Sequence, residues 1–268
     1  KRVIDIFGIN SIISIENINE INPEIILSCS NPESHLKTLN YFSSKKNILF
    51  SEKPLSYSFE EINGFSRKDL FVLMNRRYYS WVNFVRSKVK NREIRKVVIN
   101  IPEVLSNECW FNVPQSIINN SIHIFDLCFY LFDELRDPNY IFKKKSFVSI
   151  ITSSENVSEI VFNINFNAIE NFGIRFYQND GSIIVCEPIE NAKVFSDFYI
   201  EEPTEECNIR KYKPQAQNIF ETKNQMPFQK PGILELCQDL IISQPSDIRL
   251  PNVNESLKIM NWIKKIWE

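Results

Sequence analysis

Apolar residues change their spacing near residue 90, and the change divides the chain into two kinds of structure. Before it, short apolar runs alternate with stretches of helical period. Ile15, Ile18 and Ile21 recur at helical spacing behind Ser14, a suitable N-cap, and Pro23 ends that helix. Residues 24–30 (EIILSCS) predict a short buried strand, and after Asn31-Pro32 a helix over 33–44 buries Leu36, Leu39 and Phe42. Ile48–Ser51 predicts the next strand, 58–65 a short helix, and 69–74 (DLFVLM) a third apolar strand. Continuously apolar strands separated by helices indicate a parallel sheet covered on both faces.

An amphipathic stretch over 80–89 leads into a strand over 95–101, and from there the rhythm is mostly alternating. A helix over 117–132 is followed by strands at 146–152, 159–167, 173–177, 182–186 and 192–199, with Asn179-Asp180-Gly181 as a hairpin tip. Such a succession predicts an antiparallel sheet. Two helices close the chain, over 232–243 and Val253–Trp267, the second burying Val253, Leu257, Met260 and Trp267. The predicted class is α/β. A partial Rossmann-type parallel sheet over 1–90 precedes an α+β domain over 91–268 with an open, mainly antiparallel sheet, whose last helix packs back on the first domain.

A hydrophobic fraction of 43% is enough for a packed interior, so disorder is excluded as the main state. The 31 basic and 33 acidic residues are interspersed, and the Lys143-Lys144-Lys145 run reads as a solvated strand edge or loop, so no nucleic-acid partner is expected. No apolar run approaches the roughly 20 residues that span a bilayer, and no signal segment is recognisable, so no membrane partner is expected either. The six cysteines include no Cys-x-x-Cys pair and the chain has two histidines, so no metal site is expected. Cys29, Cys128 and Cys186 lie in apolar runs and read as buried, reduced thiols of a cytoplasmic protein. Glycine occurs five times and never as Gly-x-Gly.

Three places carry candidate chemistry. Ser30, Asn31 and His35 follow a buried strand, where open α/β sheets bind ligands, although Asn-Pro is also an ordinary helix start. Ser51-Glu52-Lys53-Pro54-Leu55 ends the next strand, and the proline after Lys53 restricts the backbone that carries the amine. Asn119, His123 and Asp126 share one stripe of an otherwise apolar helix. Burying polar groups there costs several kcal/mol unless they are paired or used, so His123 is either held by Asp126 or working.

Taken together, these motifs resemble the Gfo/Idh/MocA oxidoreductases. Residues 23–55 are similar to that family's strand, turn with histidine, helix, strand and Glu-Lys-Pro. Residues 73–79 (LMNRRYY) resemble its strand end with Asn and Arg before an aromatic, and 119–127 (NNSIHIFDL) its helix motif; the strand at 94–101 and the last helices also fit. Both histidines fall on motif positions. The resemblance implies hydride transfer between NAD or NADP and a sugar or nucleotide-sugar carbon, with Lys53, His123 and Asn119 catalytic. It implies cofactor contacts from Ser30, Asn31, His35, Glu52, Lys53 and Pro54, and substrate contacts from Arg77, Trp110, Asn119 and His123. A homo-oligomer formed through the open sheet is also implied.

Asn119 stands where many members have aspartate, a version that resembles the nucleotide-sugar branch. Pro114-Gln115 stand where members often have a glycine pair. The family's glycine-rich phosphate turn has no counterpart here: Lys1 would lie about fifty residues into an ordinary member, beyond one βαβ unit. Two other readings follow from these departures, a non-catalytic binding or assembly subunit and a reductase of another carbonyl or a linear tetrapyrrole.

Overall fold

The computed structural model describes residues 23–42, 47–65, 67, 69–104, 116–221, 230–242 and 247–268. The helix expected around Ile15–Ile21, Trp110 and Pro114-Gln115 lie outside them.

Three parallel strands stand in the order β1 (Ile25–Ser28), β2 (Ile48–Ser51) and β3 (Leu70–Val72). Helix α1 (Pro32–Tyr41) links the first two, with Pro32 in its first turn where the missing N–H costs nothing. Helix α2 (Phe59–Asn63) is capped by Ser58, whose hydroxyl accepts from the Glu61 N–H at 3.2 Å. β2 and β3 are buried along almost their whole length, as their apolar runs require. Beyond β3, a 3₁₀ turn (Asn75–Tyr78) leads to α3 (Val82–Lys90).

The larger sheet has eight strands. They are β4 (Ile94–Glu103), β5 (Tyr140–Lys144), β6 (Phe147–Thr152), β7 (Glu159–Phe166), β8 (Gly173–Gln178), β9 (Ile183–Cys186), β10 (Asn191–Glu201) and β11 (Lys211–Glu221). Their order is β11-β10-β9-β8-β4-β7-β6-β5, and every pairing is antiparallel except β4 with β7. β6 and β7 alternate buried and half-buried positions, the period of a sheet packed on one face. That face receives a π-helical turn (Ile117–Ser121) continuing into α4 (Ile122–Phe132), together with the C-terminal α6 (Val253–Trp267). Phe125, Phe162 and Trp262 meet there with ring centroids 5.4–5.7 Å apart.

The chain ends against the small sheet. Phe71 bridges Asn252 and the Val72 N–H donates to the Pro251 carbonyl at 2.9 Å, so the residues before α6 flank β3. Asn252 and Glu255 then form a reciprocal capping box, both bonds 3.0 Å, which starts α6. Upstream, Gly232 opens α5 (Ile233–Ile242) at φ +79°. A Cβ there would lie 2.4 Å from the Asn75 carbonyl oxygen, so only glycine allows α5 to dock this closely on the 3₁₀ turn.

Differences from the sequence reading sit at edges. β5 and β11 were not anticipated because both are edge strands, rich in charge and without an alternating apolar pattern, and β11 contains Pro214. Cys128 and Cys186 are buried thiols, but Cys29 is exposed. It follows an edge strand whose alternate residues Ile25 and Leu27 also face outward. Among the described residues, no helix is long and apolar enough to cross a membrane.

Candidate active site

The carboxyl ends of β1 and β2 lie side by side because the two strands pair in register from Ile25↔Ile48 to Ser28↔Ser51. Just past them, His35 comes up from α1, 1% exposed, and its Nδ1–H donates to the Pro54 carbonyl at 3.0 Å. A carbonyl only accepts, so this bond fixes the proton on Nδ1. The peptide between Lys53 and Pro54 is cis. Glu52 accepts from the Lys53 N–H through Oε2 at 3.3 Å, and its own N–H continues the ladder to the Ser28 carbonyl at 2.9 Å.

From this braced turn the Lys53 ammonium reaches the carbonyl of Asn119 in the π-helical turn and donates to it. Such turns interrupt helices mostly at functional positions. Tyr57, four residues after Lys53, donates its hydroxyl to Asn119 Oδ1 at 2.7 Å. Ser121, also in the π-helical turn, donates to the carboxylate of Glu103, the buried last residue of β4. His123 follows at the start of α4, with Nδ1 buried and unpartnered.

Charge around the imidazole is mostly positive. Burial holds His123 well below its usual 6.5, and Arg76, Lys53 and Lys230 push the same way. Burial also lowers Lys53; Glu52 and Glu103 oppose that, while Lys230 and Arg76 add to it. Burial raises Glu103 against bonds from Ser121 and Asn120, and raises Tyr79 to about 12. The Arg76 guanidinium lies 4.6 Å from the centre of the Phe172 ring, with Nη1 buried and unpartnered. A neutral imidazole, an ammonium whose charge is disfavoured and a carboxyl pulled upward gather within one small region. Such clustering of perturbed groups marks functional sites.

No family model and no curated protein matches the sequence. Solved structures do. A dehydrogenase (MviM) from Clostridium difficile is 18% identical with a TM-score of 0.70, covering 99% of this chain and 85% of its own. The UDP-N-acetylglucosamine 3-dehydrogenase GnnA from Acidithiobacillus ferrooxidans is 10% identical at TM-score 0.66, with 99% and 84% covered. A Gfo/Idh/MocA family oxidoreductase from Vibrio cholerae is 13% identical at TM-score 0.64, with 94% and 79% covered. This chain has the Gfo/Idh/MocA dehydrogenase fold. The likeness read from the motifs therefore holds at the level of fold.

Within this fold the sequence-predicted residues separate into three groups. Lys53 and Asn119 touch, and His123 stands one helical turn further on, within reach of the Lys53 charge. Ser30 and Asn31 lie at the mouth of β1, where Ser30 shares a 3.2 Å hydroxyl contact with Ser28 and Asn31 starts α1. His35 and Pro54 are buried beneath the mouth and brace it.

One expectation is corrected. Asp126 does not hold His123: it is fully buried against Arg77, whose Nε and Nη2 donate to it at 2.9 and 2.7 Å. Arg77 is 3% exposed and its Nη1 donates to the Arg249 carbonyl at 2.6 Å, so all three of its nitrogens are engaged within the protein. The neighbouring Arg76 bonds Tyr79 and leaves Nη1 buried without a partner.

Glu103, Tyr57 and Lys230 were also missed. Glu103 had a signal: it shares the buried face of Val97, Ile99 and Ile101, so the alternation of β4 carries a carboxylate into the core. Tyr57 and Lys230 had none. Lys230 reaches the site because Pro231 and Gly232 dock on Asn75, where the Pro231 carbonyl accepts from the Asn75 amide at 2.8 Å.

Proposed function

We propose that the protein is an oxidoreductase that moves hydride between NAD or NADP and a carbon of a sugar or nucleotide sugar. The observation that carries this reading is the Lys53 amine, sent from a parallel-strand end, meeting Asn119 one turn before a neutral, half-buried His123. Residues 1–90 would form the dinucleotide-binding part and 91–268 the substrate part, in a cytoplasmic homo-oligomer joined through the open sheet. The half-exposed outer positions of β6 and β7 and the free thiols of the described cysteines support that setting.

The donor set at the strand ends fits a nicotinamide. Ser30 and Asn31 lie beyond β1, and Glu52 and Lys53 beyond β2, adjacent because the strands are in register. No glycine turn that would cradle a pyrophosphate occurs among the described residues. When bound, the nicotinamide supplies the hydride acceptor or donor.

The chain's own residues handle the oxygen. As an alcohol is oxidised, His123 takes its proton. The Lys53 ammonium stabilises the oxygen as negative charge develops on it. Burial first, and then the Arg76, Lys53 and Lys230 charges, keep the imidazole unprotonated and so free to accept a proton. Arg76, with its unpartnered Nη1 and its guanidinium over Phe172, joins the proposed substrate contacts.

A fluorescence titration of reduced nicotinamide coenzymes against the protein with its native N-terminus tests the reading. Saturable binding of NADH or NADPH is expected, followed by coenzyme reduction with at least one member of a sugar and nucleotide-sugar panel. Absence of binding would favour a non-catalytic relative.

A further inference from the structure

We propose that Tyr57 is a positioning residue that turns the Asn119 side chain into a hydrogen-bond donor toward the substrate oxygen. The inference rests on the hydride-transfer reading of the site. An asparagine amide carries one acceptor oxygen and two N–H donors, and its role depends on which end faces the ligand. Here the Tyr57 hydroxyl donates to Oδ1 at 2.7 Å, the usual length for an O–H···O bond. The backbone carbonyl of the same residue accepts from Lys53. Two side chains four apart in the loop after β2 thus each engage one oxygen of Asn119, and the NH₂ group is what remains.

Asn119 itself is only partly buried. An aspartate here would meet Tyr57 with one oxygen and turn the other, an acceptor bearing negative charge, toward the substrate. Asparagine fixed by Tyr57 presents a donor. A bound oxidised nicotinamide would supply the acceptor for the hydride lost from the C–H carbon; His123 would take the O–H proton as the C=O bond forms. A second donor beside the Lys53 ammonium then favours the oxygen while it carries charge, where a carboxylate would oppose it.

Tyr57 packs half-buried against the core and lines an open cavity of about 560 Å³ with Phe59, Ile118, Met260, Ile263 and Trp267. Among the described residues, the bond to Asn119 is the hydrogen bond its hydroxyl makes. Tyr57→Phe therefore removes that bond and little else.

The test combines Tyr57→Phe, Asn119→Ala and the double variant, with a substrate from the panel. Tyr57→Phe should lower kcat about tenfold with KM little changed, the loss of one hydrogen bond made mainly in the transition state. In the Asn119→Ala background the same change should have no further effect. An equal fall in both backgrounds would show that Tyr57 acts structurally and would overturn the proposal.

A readout independent of turnover is the ¹⁵N-resolved side-chain amide of Asn119. It should shift or split in Tyr57→Phe, while an unchanged amide signal would also overturn the proposal. If the wild type turns over no sugar, the hydride-transfer reading fails and the amide signal alone decides the role of Tyr57.

Discussion

Lys53→Met is expected to lower turnover by about 10²–10³-fold, the range for deleting one preorganised donor to a developing oxyanion. The ammonium is held by the Asn119 carbonyl at one end and by a braced turn at the other, so it arrives in place without reorganisation. Methionine keeps the apolar stem and removes only the charge and its donors. The Asn119 carbonyl is left to water, since this region is partly exposed, and the fold should be unaffected. His123→Ala is expected to cost a similar or larger amount, about 10²–10⁴-fold, because it removes the proton acceptor. Steady-state kinetics with a coenzyme-linked assay, beside a thermal melt of each variant, checks both. Wild-type turnover in both variants would remove the assignment.

Asp126→Ala is expected to lower unfolding stability by about 3–5 kcal/mol, the usual result of stranding one member of a buried ion pair. Asp126 is fully buried and Arg77 3% exposed, so neither charge can be rescued by solvent. Arg77 also ties the 3₁₀ turn after β3 to α4 and, through the Arg249 carbonyl, to the segment before α6. Its loss of a partner is felt where three parts of the chain meet. Replacing both residues together, Arg77→Met with Asp126→Leu, should recover much of the loss, because the desolvation cost of both charges disappears. Urea denaturation with a common m-value measures it. A loss of less than about 1 kcal/mol for Asp126→Ala would mean that the pair is not the clamp described.

Much of the fold was legible because its strong signals are local. The apolar runs of β2 and β3, the Pro32 start of α1, and the 3.6-residue stripe of α6 each follow from spacing and cap chemistry. What escaped depends on long-range neighbours. Whether Asp126 serves His123 or Arg77 is decided by how the turn after β3 packs on α4, which no local pattern reports. The same packing sets Arg77 against Asp126 and its neighbour Arg76 over Phe172. Tyr57 meets Asn119 across 62 positions of sequence, and a tyrosine in a loop has no periodicity to announce it. Lys53 and His123 were recognised by motif, whereas their mutual electrostatic contact appears only in the folded chain.

The decisive claim is that amine and imidazole share one crevice, and a two-dimensional NMR titration of the two histidines measures it. Wild-type His123 should titrate well below 6.5, since burial and the Lys53, Arg76 and Lys230 charges all disfavour its protonated form. In Lys53→Met its midpoint should move upward, because one of those charges is gone. An identical His123 titration in the two proteins, or a wild-type midpoint at or above the ordinary histidine value, would contradict the account.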